Sequence, residues 1–499
     1  MQEGEKTVSE ALRLEVLRGT SIPVYQQLVD GILRAIEEGR LRAGDALPSI
    51  RTVAAELAVN QMTVSKAYKS LSAQGVVRGQ SGGGTRVLER TSTDLGMAQA
   101  WQPAEALDRF PARMAELAAA PGVIAFTDAY PRFSPDDVDA FRECLDRTLT
   151  TYGASTFAYG PPAGKYELRE LLAGIVGRGG VAVHADDLVL TSGAQQALDL
   201  SARLLLGPGD SVIVESPCYF GALDVFRSLG ARIVELPISS EGISPVDFAE
   251  ACAKFSPKAF YTIPTVHNPT GVTTSELCRR KLLAVARKFG CAVIEDDYCP
   301  EFSFSREHIP TYLSLAQGSV PVFYLRSLGK IYLPGIRLGF LIPPEPQLAQ
   351  ALQLKRSSDM HGPLLLQNAA ELFLRDRVSK ARATHELKSM QQRALLLHDE
   401  LSRWLPTGCG TQMVSGGLSF WVSLPKSVKN EDLYFSAIRH SVAFSLGSAF
   451  VDASAGSSTG LRLSFGGLDT DQIEEGVQRI VSVLKSVFGA TSGSANYIV

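Results

Sequence analysis

Apolar side chains recur at helical spacing near the start of the chain. Val24, Leu28, Ile32, Leu33 and Ile36 fall on one face of a helix. Two shorter helical segments follow, about Ser49–Leu57 and Met62–Gln74, separated by the turn Ala58–Gln61. Ser49, directly after Pro48, is placed to cap the first, and Gly75 to stop the second. This is helix-turn-helix spacing. The run GQSGGGTRV predicts a tight turn between two short strands, a wing whose glycines permit close approach. Residues 89–120 are polar and Ala-rich without strand pattern, and read as a linker holding one helix. From residue 121 the period changes. The β-branched runs DLVLTS, DSVIVES, ARIVELP, KAFYTIP, CAVIEDD and VFYLRS alternate with helical segments, which predicts an α/β domain with a mostly parallel sheet. Beyond about residue 390, LSFWVSL, LRLSFG and a final helix near 470–487 predict a smaller α+β subdomain. No internal repeat or low-complexity tract interrupts this order.

Composition changes the picture only locally. A chain of 499 residues, 45% apolar and 20% charged, is ordinary globular material and long enough for several domains. The net charge of −3 selects no partner. Residues 40–90, however, hold eight Lys/Arg against three Asp/Glu, a local excess of 8 − 3 = +5. A basic module on a faintly acidic body fits nucleic-acid contact. The seven cysteines form no C-x-x-C pair, so neither a metal site nor a disulfide framework is expected, and a reducing cytoplasm fits their dispersion. The N-terminus lacks the apolar stretch of a signal peptide, and no run of ~18 apolar residues predicts a membrane helix.

The second helix of the N-terminal module opens with Thr63, Ser65 and Lys66, followed by Lys69. Short hydroxyls and lysines at a helix start can read base edges and phosphates in a major groove, and Arg86 lies beside the wing glycines. Tyr25-Gln26-Gln27-Leu28, Gly44, Leu47-Pro48-Ser49, Arg51, Thr63-Val64, Ala67-Tyr68, Leu71, Gly75 and Gly84-Thr85 together resemble the GntR-type winged helix over residues 1–88. The resemblance implies double-stranded DNA as partner and a DNA contact from Arg51. One departure is Asn60-Gln61-Met62, where many members carry an arginine before the Thr-Val pair.

The body offers five constellations. Lys330 follows the strand-like run ending in Ser327. Held at a strand end away from bulk water, it can have its pKa lowered enough to form a Schiff base. Ser327 and Arg337 can bind a phosphate. VIEDDY (293–298) carries Asp296 and Tyr298 at the end of an apolar strand, where ligands collect in α/β sheets. HNPTG (267–271) offers the Asn268 amide. TSGAQQALDL (191–200) is a strand-to-helix junction, where the amides of Gly193, Ala194 and Gln195 can cradle a phosphate. Tyr219 can stack on a ring, and Arg462 can take a carboxylate.

In this order the five resemble the fold-type I aminotransferases over residues 121–490. The resemblance implies pyridoxal 5'-phosphate, bound covalently at Lys330, with Asp296 at its ring nitrogen, Tyr298 and Asn268 at its phenolic oxygen and Tyr219 on its face. It also implies a phosphate held by residues 193–195, Ser327 and Arg337, and a ligand carboxylate on Arg462. Tyr159, in YGPPAG, would reach into a partner's site, implying a homodimer. A winged helix fused to such a domain resembles the MocR subgroup. That implies a cytoplasmic transcriptional regulator sensing an amino compound or pyridoxal phosphate itself; a working aminotransferase with an accessory DNA-binding domain is the alternative. Cys299-Pro300, where members often carry Asp-Ser, and Gly221, where some carry a basic residue, depart from the subgroup and bear on the effector.

Overall fold

A computed structural model describes residues 16, 23–37, 40–42, 44–73, 76–80, 84–88, 110–305, 309–328, 330, 334–452 and 460–493. The N-terminal head comprises α1 (Val24–Glu37), α2 (Ile50–Glu56), α3 (Gln61–Ala73), β1 (Val77–Gln80) and β2 (Gly84–Val87). Ser49 caps α2, its Oγ accepting from the Thr52 amide at 3.1 Å. The next helix begins one residue earlier than the sequence suggested. The reason is Asn60, whose Oδ1 accepts from the Met62 amide at 2.8 Å and so satisfies the first turn. Leu28, Val29, Ile32, Val53, Val64 and Leu71 fill the head's core. Tyr68 Oη donates to the Pro48 carbonyl at 2.7 Å, tying α3 to the entry of α2. The wing strands pair antiparallel with Arg78 opposite Arg86, while Arg86 Nη1 donates to the Gly44 carbonyl at 2.9 Å. Gln74, Gly75 and the wing tip 81–83 lie outside the described residues.

The body begins with α4 (Phe110–Ala118), β3 (Ile124–Phe126), α5 (Pro135–Tyr152), α6 (Tyr166–Gly177) and β4 (Val189–Thr191). There follow α7 (Ala194–Leu205), β5 (Ser211–Ser216), α8 (Phe220–Ser228), β6 (Arg232–Ser239), β7 (Gly242–Ile243), α9 (Pro245–Phe255) and β8 (Ala259–Thr262). Next come α10 (Glu276–Phe289), β9 (Ala292–Asp296), α11 (Tyr312–Ala316), β10 (Val322–Ser327) and β11 (Gly339–Ile342). The large sheet has the order β4-β11-β10-β9-β8-β5-β6-β7. Its central strands are buried on both faces, which is why they read as continuous apolar runs rather than as alternation. Strand β11 runs antiparallel to both β10 and β4, and the short edge strand β7 runs antiparallel to β6.

The remainder comprises α12 (Leu348–Ser358), α13 (Leu364–Arg375), α14 (Arg377–Trp404), β12 (Ser419–Ser423), α15 (Asn430–His440), β13 (Val442–Leu446), β14 (Gly460–Ser464) and α16 (Thr470–Gly493). The second sheet has the order β12-β14-β13-β3. Its last strand comes from the start of the body and runs parallel to β13. The helix expected in the linker is α4. It packs on this C-terminal layer, with the Phe110 ring 5.6 Å from that of Tyr434 and with Met114 and Leu117 buried. Residues 89–109 lie outside the described set. The far side of α4 meets the head: Arg113 Nη1 pairs with Asp30 Oδ1 of α1, and the two side chains are 13% and 3% exposed. Among the described residues no helix is long and apolar enough to cross a membrane.

Leu71 has no solvent exposure. Leu71→Ala should destabilise the head by roughly 2–5 kcal/mol. Hydrogen exchange should show faster exchange confined to residues 24–87, with the body unchanged.

Candidate functional site

Strands β4, β5, β8, β9 and β10 all end on one edge of the large sheet, and each chain segment leaving that edge carries a group of interest. Register fixes their spacing. Ser327 stands opposite Gly339, Gly339 opposite Thr191, and Leu325 opposite Asp296. Because β11 runs backwards, its first residue lies on this edge, which delivers Arg337 to the site. Gly339 is required there: a Cβ would lie 2.7 Å from the Gly193 carbonyl carbon and 2.8 Å from the Ala194 nitrogen.

Nine of the cofactor residues expected from the sequence border one cleft of about 290 Å³: Ala194, Gln195, Tyr219, Asn268, Asp296, Tyr298, Ser327, Lys330 and Arg337. The tenth, Gly193, precedes α7 with φ of 78°. Its amide already donates to the Thr191 carbonyl at 2.9 Å, so the amides left at the helix start are those of Ala194 and Gln195. Arg337, itself at a positive φ of 51°, sends Nη2 to the Ser192 carbonyl at 3.3 Å beside this turn. The result is a positive corner of helix dipole and guanidinium, suited to a phosphate.

Deeper in the cleft, Asp296 is buried. Its Oδ2 accepts from Tyr261 Oη at 2.9 Å, while Oδ1 has no hydrogen-bond partner. Burial pushes its pKa up to about 7, against the lowering effect of the Tyr261 hydrogen bond. A carboxylate oxygen left bare in this position fits a cationic ring N–H, the group a pyridoxal ring would present. Lys330 Nζ donates to the Ala129 carbonyl at 3.1 Å. Burial lowers its pKa, and the nearby Arg462 and Arg337 charges add to the effect. Asn268 Oδ1 accepts from Arg462 Nη1 at 3.3 Å, which leaves its amide nitrogen as the donor toward the cleft. Arg462 also donates to the Thr127 carbonyl and Ser445 Oγ, while its Nε has no partner, and burial holds its pKa down to about 10.

Several positioning contacts had no signal in the sequence. Tyr219 Oη donates to Gln195 Oε1, and Gln195 Nε2 donates to the Gly221 carbonyl. At Gly221 a Cβ would lie 2.6 Å from the Tyr219 ring, so the missing side chain there is what lets Tyr219 lie against α8. Glu215 accepts from Thr262 Oγ1 and the Ile263 amide and lies 3.3 Å from His267 Nε2, anchoring the turn that carries Asn268. A tyrosine in the KAFYTIP run and a glutamate in DSVIVES were visible, but pairing them with Asp296 and His267 needs the strand order. Tyr159 does not border its own chain's cleft. It is 85% exposed, edge-on to the His361 ring at 5.2 Å.

On the head, Thr63, Ser65, Lys66 and Lys69 border one shallow hollow with Tyr25 and Met62. Lys66 Nζ lies 4.0 Å from the Tyr25 ring centroid. Arg51 is exposed near the start of α2, and Arg86 is exposed on the wing.

Residues 134–480 match the family described as aminotransferase class I and II. The chain belongs to that family. Residues 24–87 match the bacterial regulatory proteins of the gntR family. Over nearly its full length the chain is similar to the probable rhizopine catabolism regulatory protein MocR of Rhizobium meliloti, 27% identical with 96% of each chain covered. The body is 31% identical to the 2-aminoadipate transaminase of Thermus thermophilus, covering 74% of this chain and 91% of that one. It also superimposes on the crystal structure of LysN, the α-aminoadipate aminotransferase of that organism complexed with N-(5'-phosphopyridoxyl)-L-leucine. The TM-score is 0.69 at 30% identity, over 76% of this chain and 98% of that one. The protein is thus a GntR-type transcriptional regulator of the MocR kind, with a DNA-binding winged helix fused to an aminotransferase-like body. Domains of the latter family typically bind pyridoxal phosphate.

Burial raises the pKa of Asp296 above its value in the unfolded chain. The folded cofactor-free protein holds this proton more tightly than the unfolded chain, so the Asp296 contribution to stability is greatest below about pH 4 and is lost as pH rises toward 7. Asp296→Asn should therefore raise the melting temperature of cofactor-free protein at pH 8. The gain should be on the order of 4 kcal/mol at most, and the difference should close on acidification in paired thermal melts.

Proposed function

We propose that this regulator holds pyridoxal 5'-phosphate in the cleft, detects an amino compound there, and passes the event to its DNA-binding head. The observation that carries the reading is the buried Asp30–Arg113 ion pair, which joins the head to the layer beside the cleft. Asp296 Oδ1 would take the ring N–H, the Asn268 amide and Tyr298 the phenolic oxygen, and Tyr219 the ring face. Ser327, Arg337 and the amides at the start of α7 would take the phosphate. Lys330, kept at a lowered pKa, would supply an uncharged amine for covalent attachment. When bound, the cofactor supplies a carbonyl for amines and an electron sink. Arg462 would bind the carboxylate of the incoming compound, whose amino group would face Lys330. The effector must favour one arrangement of the head by differential affinity. The exposed Tyr159 supports a homodimer in which it serves the partner's cleft. Two heads would then meet repeated or palindromic half-sites, with Arg51, Thr63, Ser65, Lys66, Lys69 and Arg86 facing the duplex.

A second reading is favoured by one observation, the 31% identity to a transaminase over 91% of its length. In an active aminotransferase the same lysine would carry the proton between two carbons. Turnover of an amino donor and a keto acid at ~1–10³ s⁻¹ would establish that reading.

Purified protein should show the visible absorbance of bound cofactor, and Lys330→Ala should abolish it; an unchanged spectrum would overturn the covalent assignment. Arg51→Ala should weaken operator binding and flatten its salt dependence, the slope falling by about 0.9 for each phosphate that is no longer neutralised. Arg113→Ala, which removes the α4 side of this ion pair, should uncouple the two activities. Fluorescence anisotropy should then show DNA affinity that no longer changes with effector, although each half still binds its own ligand.

A further inference from the structure

A second cavity, of about 870 Å³, adjoins the cofactor cleft. The two share Phe220 and Asp224 as a common wall, and Arg462 borders the second. Its size is that of a small-molecule site. One side is the face of α4 formed by Ala112, Ala115 and Ala118, small residues at spacings of three that leave room instead of filling it. Across from it lie β13 and the turn after it, where Phe444, Leu446 and Phe450 are fully buried behind the lining and the exposed ring of Phe220 supplies apolar surface.

Two charges on this cavity, Asp128 and Arg462, have only neutral hydrogen-bond partners among the described residues. Arg227 pairs with Asp224 and Asp452 and donates to the Val451 carbonyl. Asp128 accepts from Tyr130 Oη at 2.7 Å. Arg462 donates only to neutral oxygens among the described residues, and its Nε has no partner at all. The compartment therefore presents Arg462 at its border with the cofactor cleft with no carboxylate hydrogen-bonded to it, although the Asp128 charge acts on it, and apolar surface beyond.

We propose that this compartment receives the non-reacting part of the effector, and that the effector is an α-amino acid with a bulky apolar side chain. The inference rests on the reading given under Proposed function. The amino group faces Lys330, the carboxylate binds Arg462, and the side chain fills the space between α4 and β13. A short side chain would leave the apolar surface unfilled, and an acidic one would be placed beside the carboxylates of Asp128 and Asp224. The location also gives the ligand a lever. Ala112, Ala115 and Ala118 line the cavity on one face of α4, and Arg113 on the opposite face is paired with Asp30 of the head.

The test is titration of the full-length, cofactor-loaded protein with glycine, alanine, aspartate, leucine and phenylalanine, read by the change in cofactor absorbance. Leucine and phenylalanine should bind roughly ten- to a hundredfold more tightly than alanine, the ratio expected for burying such a side chain. Ala115→Phe, which fills the cavity from α4, should bring both within about twofold of alanine. Ala115→Leu should give a smaller loss, and the cofactor absorbance of each variant reports whether the cleft is intact. If no amino acid changes the absorbance of the wild type, the ligand reading itself fails and takes this inference with it. If glycine, alanine or aspartate binds as tightly as leucine, the detection reading stands and the apolar class is wrong. If Ala115→Phe and Ala115→Leu both keep the wild-type preference, the side chain does not enter this cavity, and the space belongs to another part of this chain or to a second copy.

Discussion

The site depends on where the strands of the large sheet end. Parallel strands deliver every following loop to the same edge, so groups far apart in sequence converge without any long loop being held in place. Asp296 comes from β9, Asn268 from the turn after β8, Lys330 from beyond β10, and Ala194 from the helix after β4. The reversed strand β11 completes the set, since only an antiparallel neighbour can bring its own beginning to that edge. Gly339 is the point at which this works, where the first residue of β11 lies against the Gly193–Ala194 backbone too closely for any side chain.

Burial then sets the chemistry. The edge is closed over by β14 and its neighbours, so a carboxylate, an amine and a guanidinium share a poorly solvated space. Each is displaced in the direction that disfavours its charge: Asp296 upward, Lys330 and Arg462 downward. Their remaining hydrogen bonds are spent on fixing orientation. Tyr261 holds one oxygen of Asp296 and leaves the other bare, and Arg462 turns the Asn268 amide so that its nitrogen faces inward.

Much of this was legible in the sequence because each motif carries its chemistry on a few adjacent residues. An apolar run followed by Asp296, or by Ser327 and Lys330, announces both the strand and what lies at its end. The head was legible for a similar reason, since caps, turns and apolar spacing are local. The features that escaped are those created by register. The run GFLI contains nothing to show that β11 runs backwards, and IAF nothing to show that β3 joins the sheet built by the last hundred residues. The Tyr261–Asp296 and Glu215–His267 contacts join strands whose adjacency is a property of the whole sheet. The helix in the supposed linker was expected, but three distinct environments around its nine residues were not.

The wing carries a consequence of a different kind. Its ladder sets Arg78 directly opposite Arg86, and both side chains are exposed. Like charges paired across two strands oppose the ladder that holds them, by a few tenths of a kcal/mol up to ~1 kcal/mol. An anion between them removes that opposition. A duplex bound at the wing would act on it as a counterion as well as a target. By linkage, whatever firmness the hairpin gains from a polyanion appears equally as affinity for it. Selection for a tighter wing and selection for stronger DNA binding would pull in opposite directions at these two positions.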